Sequence, residues 1–191
     1  MHKYFASILI FCFYSGFSQG SHSFDKRAIE LNNNAVSLMS TDDYNGALLL
    51  LDSAIQIDSS YYYAYLNKVN IYCSQKHYHK AIEYSKHAIR EKPDLAESVM
   101  FLGMLYDKIG EPEKAKRQYQ LAIEVFNNRI SLSDKNRNSN KINRACALYL
   151  LDPEKGKTEI EKLFKSNPND VTLQILKEFG KENLLAEIFK D

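Results

Sequence analysis

No tryptophan occurs in the 191 residues, and glycine (7), proline (4) and cysteine (3) are all scarce. Sandwiches and barrels built from many short strands need frequent Gly/Pro turns, so this shortage argues against them. Three cysteines cannot form a disulfide framework. Charge of one sign is missing as well. The 25 Lys+Arg and 24 Asp+Glu nearly cancel, which excludes a bulk electrostatic attraction to nucleic acid and an acidic tail. The chain's apolar run, YFASILIFCFYSGF at 4–17, is shorter than the ~20 residues a spanning helix needs. What is present is 45% hydrophobic and 26% charged, an ordinary globular balance, with 13 tyrosines.

The N-terminus has its own pattern. Lys3, the apolar run and the small residues Gly16, Ser18 and Gly20 follow the order of a secretory signal. Residues 1–18 are therefore expected to be a signal peptide, cleaved after Ser18 or after Gly20, with 19–27 a short linker. The expected destination is the periplasm or cell envelope of a bacterium, with membrane contact only through the removed signal. Cys12 follows Phe11 and sits inside the apolar run, not at its small-residue end, so a lipid anchor on it is not expected. Removal of 1–18 takes Lys3 and no acid, leaving 24 − 24 = 0 charge and only Cys73 and Cys146.

Residues recur at a step of 34. Ala47, Ala81 and Ala115 keep it, as do Ala54, Ala88 and Ala122, and Ile55, Ile89 and Ile123. Leu38, Tyr72 and Tyr106 follow, and Tyr44 returns as Tyr78. Within a period the spacing is helical: Tyr65, Val69 and Tyr72 stand at i, i+4, i+7, and Tyr78, Ala81, Ile82, Ser85, Ala88 and Ile89 share one face. SQKH (74–77), EKPD (91–94) and KIGEP (108–112) read as turns. Each period is thus helix, turn, helix, turn. The alanines let paired helices approach closely, and stacked neighbours create the core a single pair lacks.

On LMSTDDYNGALLLLDSAIQID (38–58), YCSQKHYHKAIEYSKHAIREKPD (72–94) and LGMLYDKIGEPEKAKRQYQLAIE (102–124), the chain resembles the tetratricopeptide repeat (TPR) family. The resemblance implies an all-α helix-turn-helix solenoid with repeats at 28–61, 62–95 and 96–129. A polar insertion is expected at 130–140, then a degenerate fourth repeat at 141–170 with Gly156 in place of the alanine. Residues 171–191 are expected to cap the array as a helical segment.

Chemistry is hard to find. His79 and His87 lie eight residues apart, about 800° of helical turn and ~12 Å of rise, whereas metal-binding pairs on a helix sit at i, i+4. His77 lies in the turn before them, and all three read as surface polar residues. Cys73 has no evident base with an orienting third group. No triad, phosphate loop or carboxylate pair stands out, so no metal, no cofactor and no enzymatic activity are expected.

In the TPR family the first helices of the repeats line a groove for a partner's peptide or helix. The resemblance carries that role, by register, to Ile29, Asn32, Val36 and Met39, to Tyr63, Leu66, Asn70 and Cys73, and to Glu97, Met100, Met104 and Asp107. Basic residues that would clamp an acidic C-terminal tail are missing from these stripes. The expected partner is an apolar or amphipathic protein segment, with a basic residue near Glu97 and Asp107. The protein would then act as an adaptor or scaffold. An alternative rests on Tyr61, Tyr62, Tyr63 and Tyr65: exposed members of that cluster would stack on sugars in a glycan-handling accessory protein.

Overall fold

The computed structural model describes residues 23–133 and 136–189, and its regular structure there is entirely helical. The signal peptide expected at 1–18, with both cleavage sites, lies outside the described residues. Among the described residues the helices are α1 (Lys26–Met39), α2 (Tyr44–Ile57), α3 (Tyr62–Ser74), α4 (Tyr78–Glu91) and α5 (Ala96–Lys108), then α6 (Pro112–Leu132), α7 (Arg137–Leu151), α8 (Pro153–Ser166), α9 (Val171–Glu178) and α10 (Lys181–Phe189). The chain divides into two compact units, with the boundary between Ser98 and Val99 inside α5.

The period of 34 is visible in the backbone. Asp42, Lys76 and Gly110, each 34 apart, adopt positive φ of 60°, 59° and 77°. The amide that follows each one reaches back over the helix end: Asp43 N to Leu38 O (3.0 Å), His77 N to Tyr72 O (2.8 Å) and Glu111 N to Tyr106 O (2.9 Å). A left-handed residue in that position reverses the chain and satisfies a last-turn carbonyl. Only at Gly110 does it come without a Cβ penalty.

In the first unit α1 packs on α2 and α3 on α4, with α2 against α3. Asp25 caps α1 by accepting from Arg27 N and Ala28 N, and Asp43 caps α2 by accepting from Gly46 N. Ala47, Ala54, Ala81 and Ala88 are all fully buried, so the recurring small residues are the contact points between helices. Charged side chains are buried as well, Lys68 the most deeply. Lys68 on α3 is 2% exposed, where the period one step later has Leu102. Its Nζ donates to Asp52 on α2 and to Tyr84 OH on α4 (3.0 Å), and lies 4.1 Å from the Tyr84 ring centre. Burial acts against its charge, but the hydrogen bonds to Asp52 and Tyr84 prevail and raise its pKa above the ordinary lysine value.

The second unit departs from strict repetition. The sequence leads to a polar insertion at 130–140, yet α6 continues to Leu132 and α7 begins at Arg137. At 21 residues α6 is seven longer than α2 or α4, so most of the excess is helix, built on Phe126 and Ile130. Tyr119 lies over Gly103, where an added Cβ would come within 2.5 Å of its ring. Gly156 lets α8 meet α7 backbone to backbone, since a Cβ there would sit 2.1 Å from Tyr149 Cα. After α8, α9 docks on α7 and α8 through buried Leu173, Ile175 and Leu176.

Candidate functional site

On α3 the core takes eight of the thirteen residues. Tyr62, Ala64, Tyr65, Asn67, Lys68, Val69, Ile71 and Tyr72 are buried. Tyr63, Leu66, Asn70 and Cys73 are half-buried and, at steps of three, four and three, form one line along the helix. That line is apolar apart from one amide.

On α1 the corresponding residues divide. Val36 is 45% exposed, and Ile29 and Met39 are half-buried. Asn32 is different. It is buried, and its Oδ1 accepts from Asn67 Nδ2 at 2.7 Å, so its side chain joins α1 to α3 and does not face a ligand. Its place in the expected groove is corrected accordingly.

The third stripe is corrected further. Met100 is 3% and Met104 0% exposed, and Glu97 is buried with them. These side chains belong to the core and line no open groove. Asp107, at the end of the stripe, is already engaged. Its Oδ2 accepts from Tyr119 OH at 2.8 Å and pairs with Lys181 Nζ, also at 2.8 Å. Burial first and the Asp107 carboxylate second push the Tyr119 hydroxyl far above its ordinary pKa, so it stays a donor. The basic residue expected from a partner beside Asp107 is thus supplied by α10 of this chain. Phe189 at the other end of α10 packs against Phe101, centroids 5.9 Å apart, with Lys108 Nζ 5.7 Å from its ring centre.

The tyrosine cluster is also less available than its sequence suggests. Tyr65 is buried, as are Tyr61 and Tyr62, and Tyr63 is half-buried. Phe24 meets Tyr61, Tyr62 and Tyr63 edge-on at 5.0, 5.7 and 6.1 Å. Stacking on a sugar needs an open ring face, so the glycan reading loses its platform. Phe24 comes from the stretch read as linker. Its signal is a hydrophobic residue directly before the cap Asp25, with Ile29 four positions beyond the cap, the pattern of a hydrophobic staple.

The thiol and imidazoles add no chemistry to this surface. Burial pushes the Cys73 thiol up to about 12, so it is neutral at physiological pH. His87 is stacked on Tyr65 at 5.4 Å, and His77 and His79 are exposed. Among the described residues no group of three His, Cys, Asp or Glu is placed to hold a metal ion, and no helix is long and apolar enough to cross a membrane.

Residues 62–95 and 96–129 each match the tetratricopeptide repeat family model. No curated protein matches the chain. Among solved structures the chain is similar to YrrB, a TPR protein with an unusual peptide-binding site. That likeness has a TM-score of 0.54 and 21% identity, covering 86% of this chain and 87% of that one. PilW, a widely conserved type IV pilus biogenesis factor, aligns with a TM-score of 0.57 and 18% identity, over 87% of this chain and 76% of its own. A MamA RS-1 ArsTM double mutant aligns with a TM-score of 0.56 and 18% identity, over 76% and 80%. At such identities the likeness establishes the fold: helix–turn–helix repeats of the TPR type.

Proposed function

We propose that this protein is an interaction module that seats an apolar or amphipathic segment of a partner protein along α1 and α3. The observation that carries the reading is the line Tyr63, Leu66, Asn70 and Cys73. It is the part of α3 left half-accessible beside the eight buried residues of the helix, and Val36 and Met39 extend the apolar character onto α1. Side chains already half-buried against the core lose less freedom when a partner covers them, which limits the entropy lost on binding. Methionine at its edge adapts to more than one apolar shape. Similarity to a peptide-binding TPR protein supports the same reading. The neutral Cys73 thiol supports a binding role over a catalytic one.

The signal-like pattern of residues 1–18 supports a bacterial envelope as the setting, where the protein would serve as adaptor or scaffold. Capture from the envelope fraction tests it, using the chain from Gln19 onward and a Tyr63→Ala/Leu66→Glu variant in parallel. We expect a partner retained by the native chain and lost with the variant, whose folding is verified by its urea midpoint. The same proteins captured by both forms, or none by either, would overturn the assignment to this face.

A further inference from the structure

We propose that α10 is a detachable occupant of α5, and that the face of α5 beneath it docks a partner helix of the same chemistry: a lysine, a leucine three residues on and an aromatic eight residues on. The proposal rests on reading the chain as an interaction module, but it concerns a different face from the one on α1 and α3.

The contacts of α10 are those of a bound ligand. Lys181 and Phe189, at its two ends, reach Asp107 and Phe101 on α5. Lys181 Nζ also lies 5.3 Å from the ring centre of Tyr119, whose hydroxyl holds the same Asp107 oxygen. Leu184 between them is fully buried. A carboxylate fixed by a tyrosine and an aromatic six residues before it on α5, met by a lysine and an aromatic eight residues apart on α10, read position, polarity and length together.

The connection to α10 permits release. Tyr149 OH donates to Phe179 O at 2.8 Å and pins the end of α9 to α7. Lys177 on α9 lies 3.7 Å from the ring centre of Phe164 on α8. The next residue, Gly180, is exposed, with nothing within 4 Å of the place a Cβ would take. An exposed glycine with open space around its Cβ position, whose carbonyl accepts from Leu184 N of α10 itself (2.9 Å), is a pivot about which α10 can swing while α9 stays docked. The exposed side of α10, Glu182, Asn183 and Ala186, is tethered by none of the contacts above.

A labelled peptide of sequence KENLLAEIF, titrated by fluorescence anisotropy into the full chain, tests this. The native chain should bind it weakly, because its own α10 fills the site. A Leu184→Glu chain, with α10 released, should bind it at least about tenfold tighter, as a site filled by α10 about nine-tenths of the time or more requires. Adding Asp107→Asn to that chain, or using a Lys181→Glu peptide, should weaken binding again. Hydrogen exchange on the native chain gives a second reading, in which α10 amides exchange faster than those of α9. Equal affinity for native and Leu184→Glu chains, indifference to Asp107→Asn, or α10 amides protected as well as those of α9 would each overturn the proposal. The peptide reads only the α5 face, so a Tyr63→Ala/Leu66→Glu chain should bind it unchanged. Failure here and failure of the α1–α3 reading are therefore separable.

Discussion

Gly156→Ala sets the repeat pattern against the structure. The alanine series Ala47, Ala81, Ala115 makes Gly156 look like the degenerate member, and alanine in a helix interior is worth about 1 kcal/mol over glycine. Pattern reasoning therefore predicts stabilisation. The structure predicts the opposite. A Cβ on Gly156 would lie 2.1 Å from Tyr149 Cα, 2.4 Å from its N and 2.6 Å from its Cβ. Carbon–carbon contacts need about 3.5 Å, so α7 and α8 would have to separate by roughly 1.4 Å. All three obstructing atoms, Tyr149 N, Cα and Cβ, are fixed by the backbone, so no rotamer change can move them. Overpacking of this kind costs about 1–3 kcal/mol and occasionally more, and a backbone clash belongs at the upper end. After the propensity gain, we expect a net loss of about 2 kcal/mol. Urea unfolding followed by circular dichroism measures it, with Ala115→Gly as the control in the opposite direction. A midpoint unchanged or raised in Gly156→Ala would refute the close approach of α7 and α8.

Three further outcomes are expected. Lys68→Met should lie within about 1 kcal/mol of the native chain, because Asp52 is exposed enough to rehydrate, whereas Lys68→Ala should lose about 2–3 kcal/mol to the cavity it leaves; because the folded pKa of Lys68 is raised, its contribution should be whole below the unfolded lysine pKa of 10.5 and fade as pH rises past it, as urea titrations at pH 8 and 11 would show. Lys76→Gly should raise stability by about 0.5–1 kcal/mol, since relief of the left-handed Cβ exceeds the added freedom of the unfolded chain; a lower thermal midpoint would contradict this. Cys73, its thiol pushed up to about 12, should react with a disulfide reagent at pH 8 far more slowly in the folded than in the urea-unfolded protein; equal rates would contradict the burial.

The repeating part of the fold is legible because it rests on local periodicity. A step of 34 in small residues fixes where helices touch, and the turns at Asp42, Lys76 and Gly110 follow the same step. The half-accessible line on α3 could be read from spacing for the same reason. What escaped the sequence is non-repeating. Phe24 is a single aromatic in a polar stretch, and nothing periodic marks it as the cover of three tyrosines. Met100 and Met104 hold groove positions by register, but register cannot say whether a later segment returns to α5. Lys68 breaks the apolar rule at a core position and is tolerated only because Asp52 and Tyr84 converge on it from α2 and α4.

The buried amide pair Asn32–Asn67 bears on whether these repeats are interchangeable. Their backbones are: the turns at Asp42 and Lys76 have the same conformation. The pair is not, because one period on, its two positions are Leu66 and Phe101. Moving either repeat elsewhere in the array would leave a buried amide facing a hydrocarbon, a mismatch that costs more than the bond itself contributes. Duplication can produce such an array, but once this junction has formed the first two repeats can no longer be shuffled, and their order is written into the contact between them.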